Sequence, residues 1–367
     1  MLEQAVEFVE KYHDELGVIH HSHTDDITAA ALFIRMMERK WKAPKAVIQS
    51  HPNIPLVTAE LAEKIESKNL QSLVFLDMPL DQDLTHLLPI AKRHKVLVID
   101  DHPIITDLNR YGIVHVSPYL LDVGERNKRY PTSKLTFDIC SRITDVDDLS
   151  WLAAVGVLGD TSEKYWPELF ERVYDRYPKL RYDKDLAGTS LVLKRIVQMM
   201  YGAQTFGYRG IATALEACLQ STDPFQISER QIPQAKELMQ MKERTEEMVR
   251  KIIKQEKMVR RFDAGLVLCQ IGHPYSSYNI EAAVAGRLYG RDPYSCVIVS
   301  REEGDLTFLE YRTNGIINCR DWAENSIAGL KNATGGGHDY VAGGHIKTKD
   351  FSRLVSQTLD YLRNENR

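Results

Sequence analysis

Short runs of Val, Ile, Leu and Phe recur along the first third of the chain, and segments with a helical apolar period separate them. GVIHHS (17–22), KAVIQS (45–50), SLVFLD (72–77), KVLVID (95–100) and GIVHVS (112–117) read as strands. ITAAALFIRMMERK, VTAELAEKIES and HLLPIAKRH, lying between them, read as helices. Strands of this apolar kind alternating with helix-length segments predict a parallel sheet built by right-handed crossovers. Ligands of such sheets bind beyond the carboxyl ends of the strands. Acids and imidazoles gather at those ends: His20, His21, His23 and Asp25 after the first strand, Asp77 after the third, and Asp100, Asp101 and His102 after the fourth.

Residues 133–205 read mainly as helix, and 232–261 as one long helix with Leu238, Met241, Met248 and Ile252 on its apolar stripe. That helix is expected to end in a cationic run, RKIIKQEKMVRR, whose simplest reading is a solvated face. A second α/β pattern follows: AGLVLCQI (264–271), YSCVIVS (294–300) and LTFLEYR (306–312) as strands, IEAAVAGRLYG (280–290) and RDWAENSIAGL (320–330) as helices. The expected division is residues 1–215 as a first α/β domain, 216–261 as a helical connection, and 262–367 as a smaller second α/β domain.

Composition narrows the class without naming a partner. With 367 residues, 43% hydrophobic and 27% charged, the chain reads as a water-soluble globular protein with room for two cores. The net charge of −4 gives no global sign of nucleic-acid binding, although a local cationic lining can still hold a small anionic substrate. Five dispersed cysteines (Cys140, Cys218, Cys269, Cys296, Cys319) fit buried thiols in a reducing compartment, and the expected location is cytoplasmic. The N-terminal stretch is an acidic amphipathic helix pattern, and no apolar run is long enough to span a bilayer.

Five segments carry candidate chemistry. In HHSHTDD (20–26), His21, His23 and Asp25 alternate and so share one side of an extended backbone, before a helix expected near Ile27. Imidazole with carboxylate suits Mn²⁺, Zn²⁺, Co²⁺ or Fe²⁺ better than Ca²⁺. The competing reading is a His-rich turn with Asp25 or Asp26 as the helix cap. Asp77, ending FLDMPLD, is either a ligand or a cap, although Asp81 and Asp83 stand nearer the following helix. VIDDHP (98–103) packs Asp100, Asp101 and His102 into one turn, where a bound cation would relieve the repulsion of adjacent carboxylates. AAVGVLGDTS (153–162) leads through small apolar residues to Asp160, a ligand or a helix cap. ATGGGHDYVAGGHI (333–346) offers Gly335, Gly336, Gly337 and His338 as a phosphate cradle or a flexible turn, with Arg312 as a bidentate phosphate partner.

Taken in order, these five segments resemble the DHH phosphoesterase superfamily with its DHH-associated C-terminal domain, over nearly the whole chain. That group includes RecJ-like exonucleases, oligoribonucleases and cyclic-dinucleotide phosphodiesterases. Two departures stand out. Where the family's first motif usually reads His-x-Asp-x-Asp, this chain has His21-Ser22-His23-Thr24-Asp25, and the name-giving motif reads Asp100-Asp101-His102. Asp has become His at one ligand position and His has become Asp at the other, so the combined donor charge is unchanged.

The resemblance implies an N-terminal parallel-sheet domain, a smaller C-terminal domain joined by the long helix, and an active site in the cleft between them. It further implies a pair of divalent ions, Mn²⁺ foremost with Mg²⁺, Co²⁺ or Zn²⁺ as alternatives. His21, His23 and Asp77 would hold one, and Asp25, Asp77, Asp101 and Asp160 the other. His102 would contact the scissile phosphate, Asp100 would orient the turn, and Arg312, Gly335, Gly336, Gly337 and His338 would bind substrate. The implied activity is hydrolysis of short or single-stranded RNA or DNA by two-metal activation of water. The alternatives are a cyclic- or linear-dinucleotide phosphodiesterase and a non-catalytic nucleotide- or nucleic-acid-binding protein. No membrane partner is expected, and a homodimer is the assembly to test.

Overall fold

The computed structural model describes residues 1–121, 129–262, 264–291, 296–313, 315, 317–337 and 339–365. Two compact units divide the chain, Met1–Lys242 and Glu243–Arg367. Among the described residues no helix is long and apolar enough to cross a membrane.

The first unit begins with α1 (Leu2–Tyr12), β1 (Leu16–His20), α2 (Thr24–Lys40), β2 (Ala46–Gln49), α3 (Ala59–Glu66), β3 (Ser72–Leu76), α4 (Leu87–Ala91), β4 (Lys95–Ile99) and β5 (Val114–Val116). All five expected strands form, and they pair in parallel in the order β2-β1-β3-β4-β5. Alternation along each strand feeds two separate cores. Val18, Val74, Leu76, Leu97 and Ile99 pack on one face against α2 and the helices that follow β5. Ile19, Leu73, Phe75, Val96 and Val98 pack on the other, with Leu61, Ile65 and Ile90 from α3 and α4. Burial on both faces is what makes these strands read as unbroken apolar runs. Each fully buried Val, Leu or Phe contributes about 1.5–3 kcal/mol.

The remainder of this unit is helical: α5 (Thr132–Ile143), α6 (Ser150–Gly159), α7 (Pro167–Arg176), α8 (Leu191–Gln204), α9 (Gly207–Gln220), α10 (Pro224–Ser228) and the start of α11 (Pro233–Ile252). α6 is apolar on every side, and Ser150 through Leu158 are all buried. α2 is buried over most of its length and packs against α5, α6 and α9.

The second unit contains β6 (Val259–Arg261), β7 (Leu266–Ile271), α12 (Glu281–Tyr289), β8 (Cys296–Glu303), β9 (Leu306–Arg312), α13 (Cys319–Ser326), β10 (Thr334–Gly337), β11 (Val341–Lys347) and α14 (Phe351–Glu365). Its sheet runs β10-β11-β9-β8-β7-β6; β7 and β8 are parallel and the other pairs antiparallel. Tyr311, Trp322, Ile346, Leu354 and Leu362 form its core, with the rings of Tyr311 and Trp322 edge to face at 5.0 Å.

Two expectations change here. The long helix does not reach Arg261. α11 stops at Ile252, and Val259–Arg261 instead pair with β7, Val259 opposite Cys269. The cationic run has neither Gly nor Pro, so local propensity continues the helix, and only the long-range ladder overrides it. The glycine run is neither a nest nor a turn. Gly335, Gly336 and Gly337 lie in the edge strand β10, opposite Gly344, Gly343 and Ala342 of β11. A Cβ on Gly344 would collide with the Thr334 carbonyl, so close backbone approach accounts for that glycine.

Candidate metal centre

The sheet order reverses between β1 and β3: the chain leaves β1 for β2 on one side and returns to β3 on the other. Such a reversal splays the connecting loops apart and opens a crevice at the carboxyl edge. Residues 20–26 leave β1 and Asp77 leaves β3 at this point, with the 100–102 turn beyond β4 alongside.

The first segment is not extended through Asp25. α2 begins at Thr24, three residues earlier than its apolar period suggests, so Asp25 and Asp26 sit in its first turn, where the unpaired N–H groups favour negative charge. Asp26 Oδ2 accepts the His23 backbone N–H at 3.0 Å, closing half of a capping box. This turn separates the two acids. Asp26 joins His21 and His23, whose ligand atoms all lie within 4.8 Å of one another. The two imidazoles stand edge to face with centroids 5.3 Å apart. Asp25 turns towards the start of α5, where the Ser133 N–H lies 3.2 and 3.3 Å from its two oxygens. His20 folds back, with Nδ1 2.9 Å from the His21 carbonyl.

Asp77, Asp100, Asp101 and His102 form a second group within the same 4.8 Å limit. Asp77 has a left-handed backbone (φ 57°), and its N–H donates to the Ile99 carbonyl at 2.9 Å. Asp tolerates this conformation better than most residues, and local strain of this kind gathers at functional sites. Thr161, directly after Asp160, is also left-handed (φ 54°), an outlier for a β-branched residue. Thr132 Oγ1, at the start of α5, stands 3.1 Å from Asp77 Oδ1 and 3.2 Å from Asp101 Oδ1, spanning the two acids. Asp160 ends α6 and accepts from Ser162 Oγ at 2.8 Å.

The charges show how closely the two groups adjoin. Burial pushes Asp25 well above the usual carboxylate range, and Asp77, Asp101 and Asp160 push it further, with Ser133 opposing. Asp101 is raised by burial and then by Asp77 and Asp160. Burial and Asp26 raise Asp77, and Asp26 itself is pushed up to about 6, chiefly by burial. His21 is held well below its ordinary value, first by burial and then by the neighbouring His23, His102, His20 and His51. For His102, burial works against the imidazolium, but Asp100, Asp77 and Asp101 together push it well above its ordinary value. Its Nδ1 lies 2.8 Å from Asp100 Oδ1 and 3.7 Å from Asp77 Oδ1.

These residues suit a cation. Carboxylates brought together out of water repel one another unless positive charge lies between them. Asp26 Oδ1 is buried and accepts no hydrogen bond among the described residues, although it belongs to the His21–His23 group. A divalent ion would satisfy that oxygen. The His21 ring is oriented by Ser50, whose Oγ at the end of β2 lies 3.0 Å from Nδ1, an arrangement that suits a ligand bound through the other ring nitrogen.

The sequence pattern alone does not single out several supporting residues. It marks Asp26 only as a cap. Thr132 and Ser133 follow Pro131, and this Pro-Thr-Ser helix start is a readable signal of hydroxyls at a helix N-terminus. Asp81 does not cap a helix. Its Oδ2 accepts the N–H groups of Ile105 at 2.5 Å and Thr106 at 2.8 Å, tying the segment after β3 to the turn after β4. Asp81→Ala is expected to lower unfolding stability by about 3 kcal/mol, since two part-buried donors lose a charged acceptor, and chemical denaturation measures this.

Gly156 marks another close approach. A Cβ there would stand 2.5 Å from Asp25 Oδ1 and closer still to the Ser133 hydroxyl. In an exposed helix, Gly→Ala stabilises by about 1 kcal/mol. Here Gly156→Ala is expected to destabilise the protein and weaken divalent-metal binding, as calorimetry on the folded variant would show.

In the second unit, Arg312 ends β9 and is ion-paired with Glu310, and its Nη1 donates to the Tyr311 carbonyl at 3.0 Å. Gly336 borders open space on the edge strand. His338 lies outside the described residues.

No family model matches the chain, and no curated protein matches it. Solved structures do match. Over 99% of this chain, RecJ from Thermus thermophilus in complex with Mn²⁺ superimposes with a TM-score of 0.73 at 17% identity. This is the RecJ and DHH-domain fold. The match covers 55% of that RecJ chain, so this chain spans about half its length. A second exonuclease RecJ, bound to manganese, matches with a TM-score of 0.67 at 18% identity, covering 99% of this chain and 94% of that one. The DHH domain of a member of the s1p family of ribosomal proteins matches with a TM-score of 0.68 at 17% identity, covering 98% and 90%. The DHH-domain fold thus extends through both units, and the acidic turn at 100–102 stands where the expected motif placed it in the chain.

Proposed function

We propose that this protein is a divalent-metal-dependent phosphodiesterase acting on short or single-stranded RNA or DNA. The observation that carries this reading is the gathering of Asp77, Asp100, Asp101 and His102 at the sheet's switch point, with Asp25 and Asp160 adjoining them. A site so rich in carboxylates repels a phosphate ester by itself, and with divalent cations it attracts one. The RecJ structures with which the chain shares its fold were solved with Mn²⁺.

His21, His23 and Asp77 are proposed to hold one cation, and Asp25, Asp77, Asp101 and Asp160 the other, with Mn²⁺ foremost. Bound there, the pair would supply charge neutralisation at the phosphate and activation of a hydrolytic water. His102 donates to a phosphate oxygen, and Asp100, 2.8 Å from its Nδ1, fixes the ring. In the second unit, Arg312 and the Gly335–Gly337 strand, with His338, bind the nucleic-acid chain. The unpaired cysteines support a reducing, cytoplasmic location. Sedimentation is the measurement for the proposed homodimer.

The test is a time course with Mn²⁺ on oligonucleotides of graded length, labelled at either end and extending down to a dinucleotide. Stepwise shortening supports the proposal. Cleavage of dinucleotides alone selects the dinucleotide phosphodiesterase reading, and no hydrolysis of any diester overturns the enzyme. Arg312→Ala is expected to weaken oligonucleotide binding by about 10-fold or more, in line with the loss of a charged hydrogen bond. Hydrolysis of bis(p-nitrophenyl) phosphate should change much less, and equal losses on both substrates would count against the role of Arg312.

A further inference from the structure

The two groups of ligand-capable side chains differ in chemistry. The first contains two imidazoles, His21 and His23, with Asp26. Its imidazole character is built in: Ser50 fixes the His21 ring through Nδ1 at 3.0 Å, and the His23 ring stands edge to face with it. Asp26 adds the buried oxygen that accepts no hydrogen bond among the described residues.

The second group offers oxygen. Asp77 and Asp101 share the Thr132 hydroxyl, Asp25 takes the Ser133 N–H from the same helix start, and Asp160 adjoins Asp25 and Asp101. His102 is the one imidazole here, and its Nδ1 faces Asp100 at 2.8 Å and Asp77 at 3.7 Å. That geometry makes the ring a hydrogen-bond donor to carboxylates. Asp77 belongs to both sides, since it also adjoins Asp26.

We propose that the two metal positions have different selectivity. The His21–His23–Asp26 position selects borderline late first-row ions such as Co²⁺ or Zn²⁺, and the Asp25–Asp77–Asp101–Asp160 position takes hard ions such as Mg²⁺ or Mn²⁺. Asp26 is a ligand or ligand-orienting group of the first position. This rests on the reading that these residues hold two cations. Imidazole nitrogen favours late ions strongly over Mg²⁺, which prefers oxygen and retains its water. All-oxygen sites discriminate less. Exchanging His and Asp between residues 23 and 101, relative to the motif the chain resembles, separates the donor types between the positions.

The experiment is a titration of the metal-free, full-length protein with Co²⁺, with and without a large excess of Mg²⁺, followed by calorimetry and by the visible absorption of Co²⁺. Two phases are expected in the wild type. Mg²⁺ shifts the weaker phase by about 10-fold or more and leaves the tighter one within about 2-fold. His23→Ala should remove the Mg²⁺-insensitive phase and its absorption band, and Asp101→Asn the Mg²⁺-sensitive phase. His23→Asp together with Asp101→His gives each position one imidazole, and both phases should then respond alike to Mg²⁺.

Two wild-type phases equally sensitive to Mg²⁺ would overturn this inference and leave the phosphodiesterase reading standing. So would an insensitive phase that persists in His23→Ala. No stoichiometric Co²⁺ uptake would overturn both. Circular dichroism shows whether the variants fold, and the wild-type titration decides the matter if they do not.

Discussion

Asp77→Asn is expected to lower phosphodiester hydrolysis by more than about 100-fold and to reduce bound Mn²⁺ below two ions per chain, without unfolding the protein. Outer-shell partners of metal ligands already cost about 10–100-fold when removed, and Asp77 is the residue proposed to serve both ions. Its neighbours on either side support that proposal: Asp26 lies towards one group, and Asp101 shares Thr132 with it on the other. Asn suits the test better than Ala, because residue 77 has a left-handed backbone that Asn tolerates. The substitution keeps the shape and removes the charge. Activity and metal content are measured on the same preparation, and a fully active variant would exclude a bridging role.

The second large effect is on stability in the absence of metal. Asp25, Asp77 and Asp101 are raised well above the usual carboxylate range, and His102 well above its ordinary 6.5. In the unfolded chain the carboxylates are ionised above about pH 5, and His102 is largely neutral above about pH 7. The folded, metal-free protein therefore holds more protons than the unfolded chain above pH 6.5, and its stability falls as pH rises. Each extra proton held contributes a slope of about 1.4 kcal/mol per pH unit.

His20, lowered to about 4, and His21, also lowered, act in the opposite direction. They do so at lower pH, because above their ordinary 6.5 both are mostly neutral in either state. Tm of the chelator-treated protein is thus expected to fall as pH rises above about 6.5. Saturating Mn²⁺ should raise Tm and flatten that slope, since the cation takes over the role of the protons. A Tm that climbs with pH in chelator, or that Mn²⁺ leaves unmoved at the alkaline end, would contradict this account.

Much of the first unit is legible because its strands are short, apolar and separated by helices with clear periods. β1, β3 and β4 each lie within a residue or two of their expected limits, and the imidazoles after β1 and the acids after β3 and β4 mark the carboxyl edge. What stays hidden depends on tertiary contact. The start of α2 at Thr24 follows from a cap built by His23 and Asp26, and it gives Asp26 a place beside the imidazoles. Thr132, Ser133 and Gly156 act through space on acids far away in sequence, so a local pattern marks the first two as a helix start but does not reveal which acids any of the three meets. β6 and β10 look like helix and loop because a strand at the edge of a sheet owes its form to one neighbour. Cationic or glycine-rich stretches carry little intrinsic preference for that form.

The two-sided burial of the first sheet has a consequence for how its alignment is fixed. In a strand with one wet face, sliding by a single residue exposes the apolar set, and the error corrects itself. Here Leu73 and Phe75 face one core while Val74 and Leu76 face the other, so a slip exchanges one oily row for another. Alignment then depends on the polar residues at the strand tips, and above all on Asp77, anchored by its own amide to Ile99. If the proposed cations bind at these tips as the chain folds, they would help to hold it in frame, and folding in chelator would forgo that reference point.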